Sequence, residues 1–217
     1  MSIINLGTYP PKQCGIAHFS SDLRHSLENR RQVLIAAVSD QEYKYKYGTE
    51  VVININQQTR QDYIRAATYI NQSNSIDLVV IQHEYGIYGG TDGEYILDFV
   101  KILHKPYIII THTVLPRPLE HQKNILQTLC RYSSAVVCMT NNSALLLQDI
   151  YGIQAQKINI IGHGVPEFKP QPSSLLKQKY HLTDKQVIST FGLIGPGKGL
   201  ELGIEAIGKL TADYKDI

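Results

Sequence analysis

Gln186 to Ile207 reads QVISTFGLIGPGKGLELGIEAI, an apolar run, a glycine-rich turn and an amphipathic segment. A strand, turn and helix in that order aim backbone N–H groups and a lysine at a phosphate. Gly192, Gly197 and Lys198 satisfy the P-loop pattern G-x-x-x-x-G-K, but Gly199 stands where that loop needs a Ser or Thr hydroxyl for magnesium. A P-loop phosphotransferase therefore lacks its metal-holding group here. The dinucleotide fingerprint G-x-G-x-x-G is also absent from the first turn, which argues against a dehydrogenase.

A second set of polar residues follows the apolar runs. His83 and Glu84 lie in QHEYGIYGG, His112 in THT, Asn141 in TNNS and His163 in GHG. Histidine suits proton traffic and oxyanion contacts near neutral pH. Taken singly, each histidine is better explained as a structural hydrogen-bonder, but three at strand tips form a candidate cleft. His83, Glu84 and His112 show no ligand spacing such as H-E-x-x-H, so no metal site is assigned. Nor is there a carboxylate pair suited to glycoside hydrolysis. Gly15, in GTYPPKQCGIAHF, opens the first helical segment. It either admits a ligand to the positive helix end or is a plain packing glycine.

These residues need a scaffold that gathers strand ends. Short apolar runs occur at Ile3–Leu6, Val33–Val38, Val51–Ile55, Leu78–Ile81, Tyr107–Ile110, Ala135–Met139 and Ile158–Ile161. They are continuous rather than alternating, as parallel strands buried on both faces must be. Helical periodicity separates most of them: Ile16, Phe19, Leu23 and Leu27 share one face, and Ile96, Phe99, Val100 and Leu103 another. Further helices are expected over Arg60–Gln72, Leu119–Tyr132 and Ser143–Tyr151. Such alternation predicts a doubly wound, Rossmann-like α/β sheet, whose ligands bind outside the carboxyl ends of the strands. The proline- and glycine-rich stretch from Gly162 to Ser174 marks a boundary. The expected organisation is a domain over 1–165, a crossing with a short helix over 166–185, and a strand–helix unit, opened by a strand at Val187–Phe191, over 186–217.

Composition narrows the function classes. The 217 residues are 43% hydrophobic and 18% charged with a net charge of +2, ordinary for a globular protein and too slight to predict a polyanion partner. The basic, aromatic stretch YKYKYG at Tyr43–Gly48 reads as a solvated loop, so no nucleic acid is expected. Cys14, Cys130 and Cys138 form neither a C-x-x-C nor an even set, which favours a reducing compartment. No basic leader opens the chain, and no apolar run nears the roughly 20 residues of a membrane span. A cytoplasmic protein is the expectation.

The ordered set PPKQCGIAHFSSDL, QHEYGIYGG, THT, CMTNNSALLL, KINIIGHGVPEF and FGLIGPGKGLELGIEAI resembles the group 1 (family four) glycosyltransferases of the GT-B fold. The likeness runs through essentially the whole chain. It implies an N-terminal Rossmann-like domain that holds the acceptor, and the beginning of a C-terminal domain that binds a nucleotide-sugar donor. By resemblance Gly15 approaches the donor diphosphate and His112 contacts the transferring sugar as the catalytic residue. Gly192, Gly197 and Lys198 bind the donor phosphates from the second domain, while His83, Glu84, Asn141 and His163 line the cleft. Cys14 and Leu193 stand where the family often has glycine and arginine, and the family's later paired-glutamate segment falls beyond Ile217. The implied reaction is retaining and metal-independent, with the nucleotide sugar as substrate, no separate cofactor, and a carbohydrate or lipid-linked acceptor. Lipid-linked acceptors would put the protein peripherally at the inner membrane face. A non-catalytic partner-binding module, one half of a split enzyme, or a self-associating fragment are the alternatives.

Overall fold

The computed structural model describes residues 2–40, 44–165, 167–192, 194–195 and 198–213. They form two compact units, one up to His163 and one from Gly164 onward, and each is described by itself.

The first unit is a seven-stranded, all-parallel sheet with helices between the strands. Its strands are β1 (Ser2–Gly7), β2 (Gln32–Ser39), β3 (Val51–Asn56), β4 (Ile76–His83), β5 (Tyr107–Thr111), β6 (Ala135–Cys138) and β7 (Ile158–Ile160). Its helices are α1 (Gly15–Glu28), α2 (Arg60–Gln72), α3 (Ile96–Ile102), α4 (Glu120–Tyr132) and α5 (Asn141–Asp149). Each of the seven apolar runs became a strand, and α2 has the bounds its periodicity gives. α5 starts two residues before the expected Ser143, because the Thr140 hydroxyl accepts the Ser143 N–H at 3.0 Å and sets the first turn at Asn141.

Strand order is β3-β2-β1-β4-β5-β6-β7. The order reverses direction between β1 and β4, the place where a doubly wound sheet opens a crevice at its carboxyl edge. Continuous apolar strands follow from burial on both faces. In β2, Ala36 and Val38 enter the main core, while the intervening Ile35 and Ala37 pack with Tyr9 in a smaller cluster on the other side. The main core joins Ile4, Leu6, Ile81 and Ile109 of the central strands to Phe99 of α3 and Leu126 and Leu129 of α4. At the opposite, amino-end side of the sheet, the Lys157 ammonium donates to the carbonyls of Cys130, Arg131 and Ser133 at 3.2, 2.7 and 2.8 Å, closing the C-terminus of α4.

The second unit carries α6 (Ser173–Lys179) and α7 (Leu200–Asp213). The strand expected at Val187–Phe191 does not form: these residues carry no strand assignment, and Ile188 and Phe191 are exposed. A parallel strand exists only by pairing with a neighbour, and no other strand lies in this unit among the described residues. No described helix is long and apolar enough to cross a membrane.

Candidate active site

The adjacent ends of β1, β4 and β5 hold the polar residues that matter. Leu6 pairs with Ile81 and His83 with Thr111, so Gly7, Gln82 and His83 sit side by side at the carboxyl edge. His112 follows β5 directly, and its N–H donates to the His83 carbonyl at 3.0 Å, extending the ladder by one bond. Its ring is half-buried. Nε2 lies 2.8 Å from Gln82 Oε1, and Gln82 Nε2 in turn donates to Asn5 Oδ1 at 2.7 Å. The Phe19 ring of α1 meets His112 edge-on at 4.8 Å between centroids and His163 at 5.5 Å. One aromatic side chain thus gathers two histidines from separate strand ends.

The His112 and His83 rings are neutral near pH 7. Burial, aided by the nearby His163, pushes the His112 pKa down to about 4. His83 is 1% exposed, and burial together with His112 pushes it down to about 3. Its ring packs edge-on against Tyr85 at 4.8 Å, and Nδ1 has no hydrogen-bond partner among the described residues. His83 therefore lies inside the wall of the crevice, whereas His112 lines it and His163 is exposed. Glu84 is turned to structural work: it accepts the Tyr85 N–H at 3.0 Å and the Thr113 hydroxyl. No three or more His, Cys, Asp or Glu side chains are grouped to hold a metal ion among the described residues.

Gly15 is the first residue of α1, and Cys14 before it provides no side-chain cap. The first N–H groups of the helix are left for solvent or a ligand. A Cβ built at Gly15 meets nothing within 4 Å among the described residues, so packing does not demand glycine there. Asn141 is exposed at the start of α5, behind its Thr140 cap. In the second unit Gly192 adopts φ 122, a conformation that suits only glycine, and Lys198 is exposed with its N–H on the Gly195 carbonyl at 3.3 Å. Gly197 lies outside the described residues. Of the basic, aromatic stretch, Tyr45 donates to Asp40 at 2.8 Å and the Tyr47 hydroxyl lies 2.7 Å from Ser39 Oγ.

Four contributors went unread in the sequence: Asn5, Gly7, Phe19 and Gln82. Their signal was available in part. Asn5 and Gln82 are polar residues within apolar strands, and a buried amide is costly unless it is paired. Gly7 is explained by close approach, since a Cβ there would lie 2.9 and 3.0 Å from Gln82 Cβ and Cγ.

The fold is the Rossmann-like α/β architecture found in GT-B glycosyltransferase structures. The HepE protein of Anabaena, solved with UDP and glucose, aligns with 96% of this chain at a TM-score of 0.67 and 17% identity. An alpha-glucosyltransferase solved with UDP and a 13-mer DNA containing a HMU base aligns with 71% of it at a TM-score of 0.50 and 14% identity. The chain spans 58% of the length of the first and 40% of the second. No protein-family profile and no curated protein matches the chain.

Proposed function

We propose that this chain serves the transfer of a sugar from a nucleoside-diphosphate sugar to an acceptor, contributing the acceptor-side domain over 1–165 and the start of a donor-binding domain over 186–217. The observation that carries the reading is a neutral histidine, His112, held at the tip of β5 by Gln82 of β4 and packed on Phe19 of α1, a helix whose start is uncapped. Its fold is shared with proteins solved with UDP. A neutral imidazole can hydrogen-bond a sugar hydroxyl without adding positive charge beside a developing oxocarbenium ion. The α1 N–H groups, with Gly15 offering no Cβ, suit a diphosphate. In this reading Gly192, Gly197 and Lys198 bind donor phosphate, with the Lys198 ammonium supplying positive charge.

The reaction breaks the bond between the anomeric carbon and the diphosphate oxygen and forms one from that carbon to the acceptor oxygen. The acceptor's proton goes to the departing diphosphate. Configuration is retained, no metal takes part, and the reaction runs on the cytoplasmic side of the cell.

The test is transfer or hydrolysis by the purified chain over a panel of uridine, guanosine and adenosine diphosphate sugars, followed by nucleoside-diphosphate release. Turnover that survives EDTA and is lost in His112→Ala supports the reading. No binding of any of these donors by calorimetry sinks it. One observation favours a second reading, a partner-binding module: Phe168, Phe191, Ile194 and Ile204 of the second unit are 80, 91, 86 and 73% exposed. Concentration-dependent self-association without donor binding would support that reading instead.

A further inference from the structure

We propose that Gln82 is the positioning residue of His112: its amide oxygen accepts a hydrogen bond from Nε2–H, holds the ring as the Nε2–H tautomer, and leaves Nδ1 as the acceptor offered to a substrate hydroxyl. The substrate part of this statement rests on the transferase reading, but the tautomer does not.

Gln82 is fully buried, near the end of a central strand whose neighbours are apolar. A leucine there would fill the core without the cost of desolvating an amide. Both ends of the amide are used instead. Nε2 donates to Asn5 Oδ1 at 2.7 Å, so the group facing His112 Nε2 at 2.8 Å is the carbonyl oxygen Oε1. A carbonyl only accepts, and the ring nitrogen opposite must therefore carry the hydrogen.

The holder is itself held. The Tyr88 hydroxyl donates to the Gln82 main-chain carbonyl at 2.6 Å, and the missing Cβ of Gly7 leaves room for the Gln82 Cβ and Cγ. The other groups around the ring do not compete for its protons. His83 offers its main-chain carbonyl to the His112 N–H, and Phe19 presents only ring edges. Burial, aided by His163, disfavours charge on His112, which keeps the ring neutral and the tautomer meaningful. The nearby Glu84 carboxylate is bonded to Tyr85 and Thr113. Tautomer choice here is set by a side chain one residue inside the strand tip, through a relay from Asn5 to Gln82 to His112.

Nitrogen-15 NMR of the histidine-labelled 217-residue chain tests this, with the His112 signals identified by their loss in His112→Gln. The expected result at pH 7.5 is the Nε2–H tautomer. A dominant Nδ1–H tautomer, which requires both amides reversed with Gln82 donating, overturns the proposal. Gln82→Glu places a carboxylate on Nε2–H and should raise the His112 midpoint by about 1–3 units, the usual effect of an adjacent opposite charge. An unmoved midpoint in a variant with wild-type circular dichroism also overturns it. Gln82→Met, similar in size and without an acceptor, should give a mixture of tautomers; a retained single tautomer counts against the role. On the transfer reaction, Gln82→Met should lower kcat about 10-fold or more while leaving the donor KM within about 3-fold. Absence of turnover in the wild-type chain would defeat the transferase reading alone, and the tautomer measurement would still decide the positioning role.

Discussion

Acidification should unfold this protein through its own crevice. His112 and His83 have pKa values of about 4 and about 3 in the folded chain, against about 6.5 for a free histidine. The unfolded state therefore binds more protons than the folded one between these limits. Stability is fully present above about pH 6.5 and falls as pH drops toward the folded values. Between pH 7.5 and 5.0, a group shifted from 6.5 to 4 forfeits about 2 kcal/mol, and one shifted to 3 forfeits about the same. A combined loss of about 4 kcal/mol is a large part of the 5–15 kcal/mol that holds a typical domain together.

The His112→Gln variant isolates one of the two contributions. Its amide nitrogen can still donate to Gln82 Oε1, but it cannot titrate. Urea unfolding followed by near-ultraviolet circular dichroism is the suitable assay, since the chain has 14 tyrosines and no tryptophan. Four of those tyrosines, Tyr63, Tyr88, Tyr107 and Tyr151, are buried in the main core. Wild type should lose about 2 kcal/mol more than the variant between pH 7.5 and 5.0, close to 1 M in midpoint at a urea slope of about 2 kcal/mol/M. Ionisation elsewhere, including at His121, is common to both proteins and cancels in the difference. Parallel pH profiles for the two proteins would refute the reasoning, because they would mean that His112 is not held neutral by its surroundings.

Gly7→Ala should cost about 1–3 kcal/mol by thermal melting, since its Cβ would press on the Cβ and Cγ of Gln82 at 2.9 and 3.0 Å. Gly15→Ala should leave the melting temperature unchanged or slightly raised, because its Cβ meets nothing within 4 Å among the described residues; on the proposed function it should weaken donor binding in calorimetry. Lys157→Met strips the carbonyls of Cys130 and Arg131 in α4, and of the Ser133 that follows it, of their shared donor and should cost about 1–3 kcal/mol in urea unfolding. His121 has Nδ1 and Nε2 each 3.1 Å from a carboxylate, of Asp92 and Glu94, and both contacts can be hydrogen bonds only when the ring carries two protons. Its pKa is raised, chiefly by the Asp92 hydrogen bond. The bridge to the loop at Thr91–Gly93 is thus present below about 6.5 and lost as pH rises through the raised value. NMR titration should place the His121 midpoint above the ordinary histidine range, and Asp92→Asn should lower it.

Most of the sheet was legible because a parallel strand buried on both faces writes a largely apolar run, and all seven apolar runs became strands, including the partly buried edge strands β3 and β7. The same signal misleads at Val187–Phe191. QVISTF is as β-branched as VLIAAV of β2, though less apolar, but β2 lies between β1 and β3 and the later run has no strand beside it among the described residues. Local sequence records fitness for a strand; pairing decides whether one forms.

The crevice shows a related limit at finer scale. Chain order locates the strand tips, but successive side chains of a strand point to opposite faces, and nothing local says which face opens on the ligand. In QHE, reading outward from the tip favours His83 and Glu84, the residues with familiar chemistry. The structure sinks His83 against Tyr85 and ties Glu84 to Thr113, while Gln82, one residue further in, reaches His112. The clue was energetic rather than positional. A histidine at a loop can point at water and cost nothing, but an amide inside an apolar strand must find partners or destabilise the fold. Asn5 and Gln82, on neighbouring strands, satisfy part of that demand in each other; Gln82 Oε1 meets His112, while Asn5 Nδ2 has no partner among the described residues. In a doubly wound sheet, then, the buried polar residue just short of a strand tip is a sharper pointer to the working group than the exposed polar residue just beyond it.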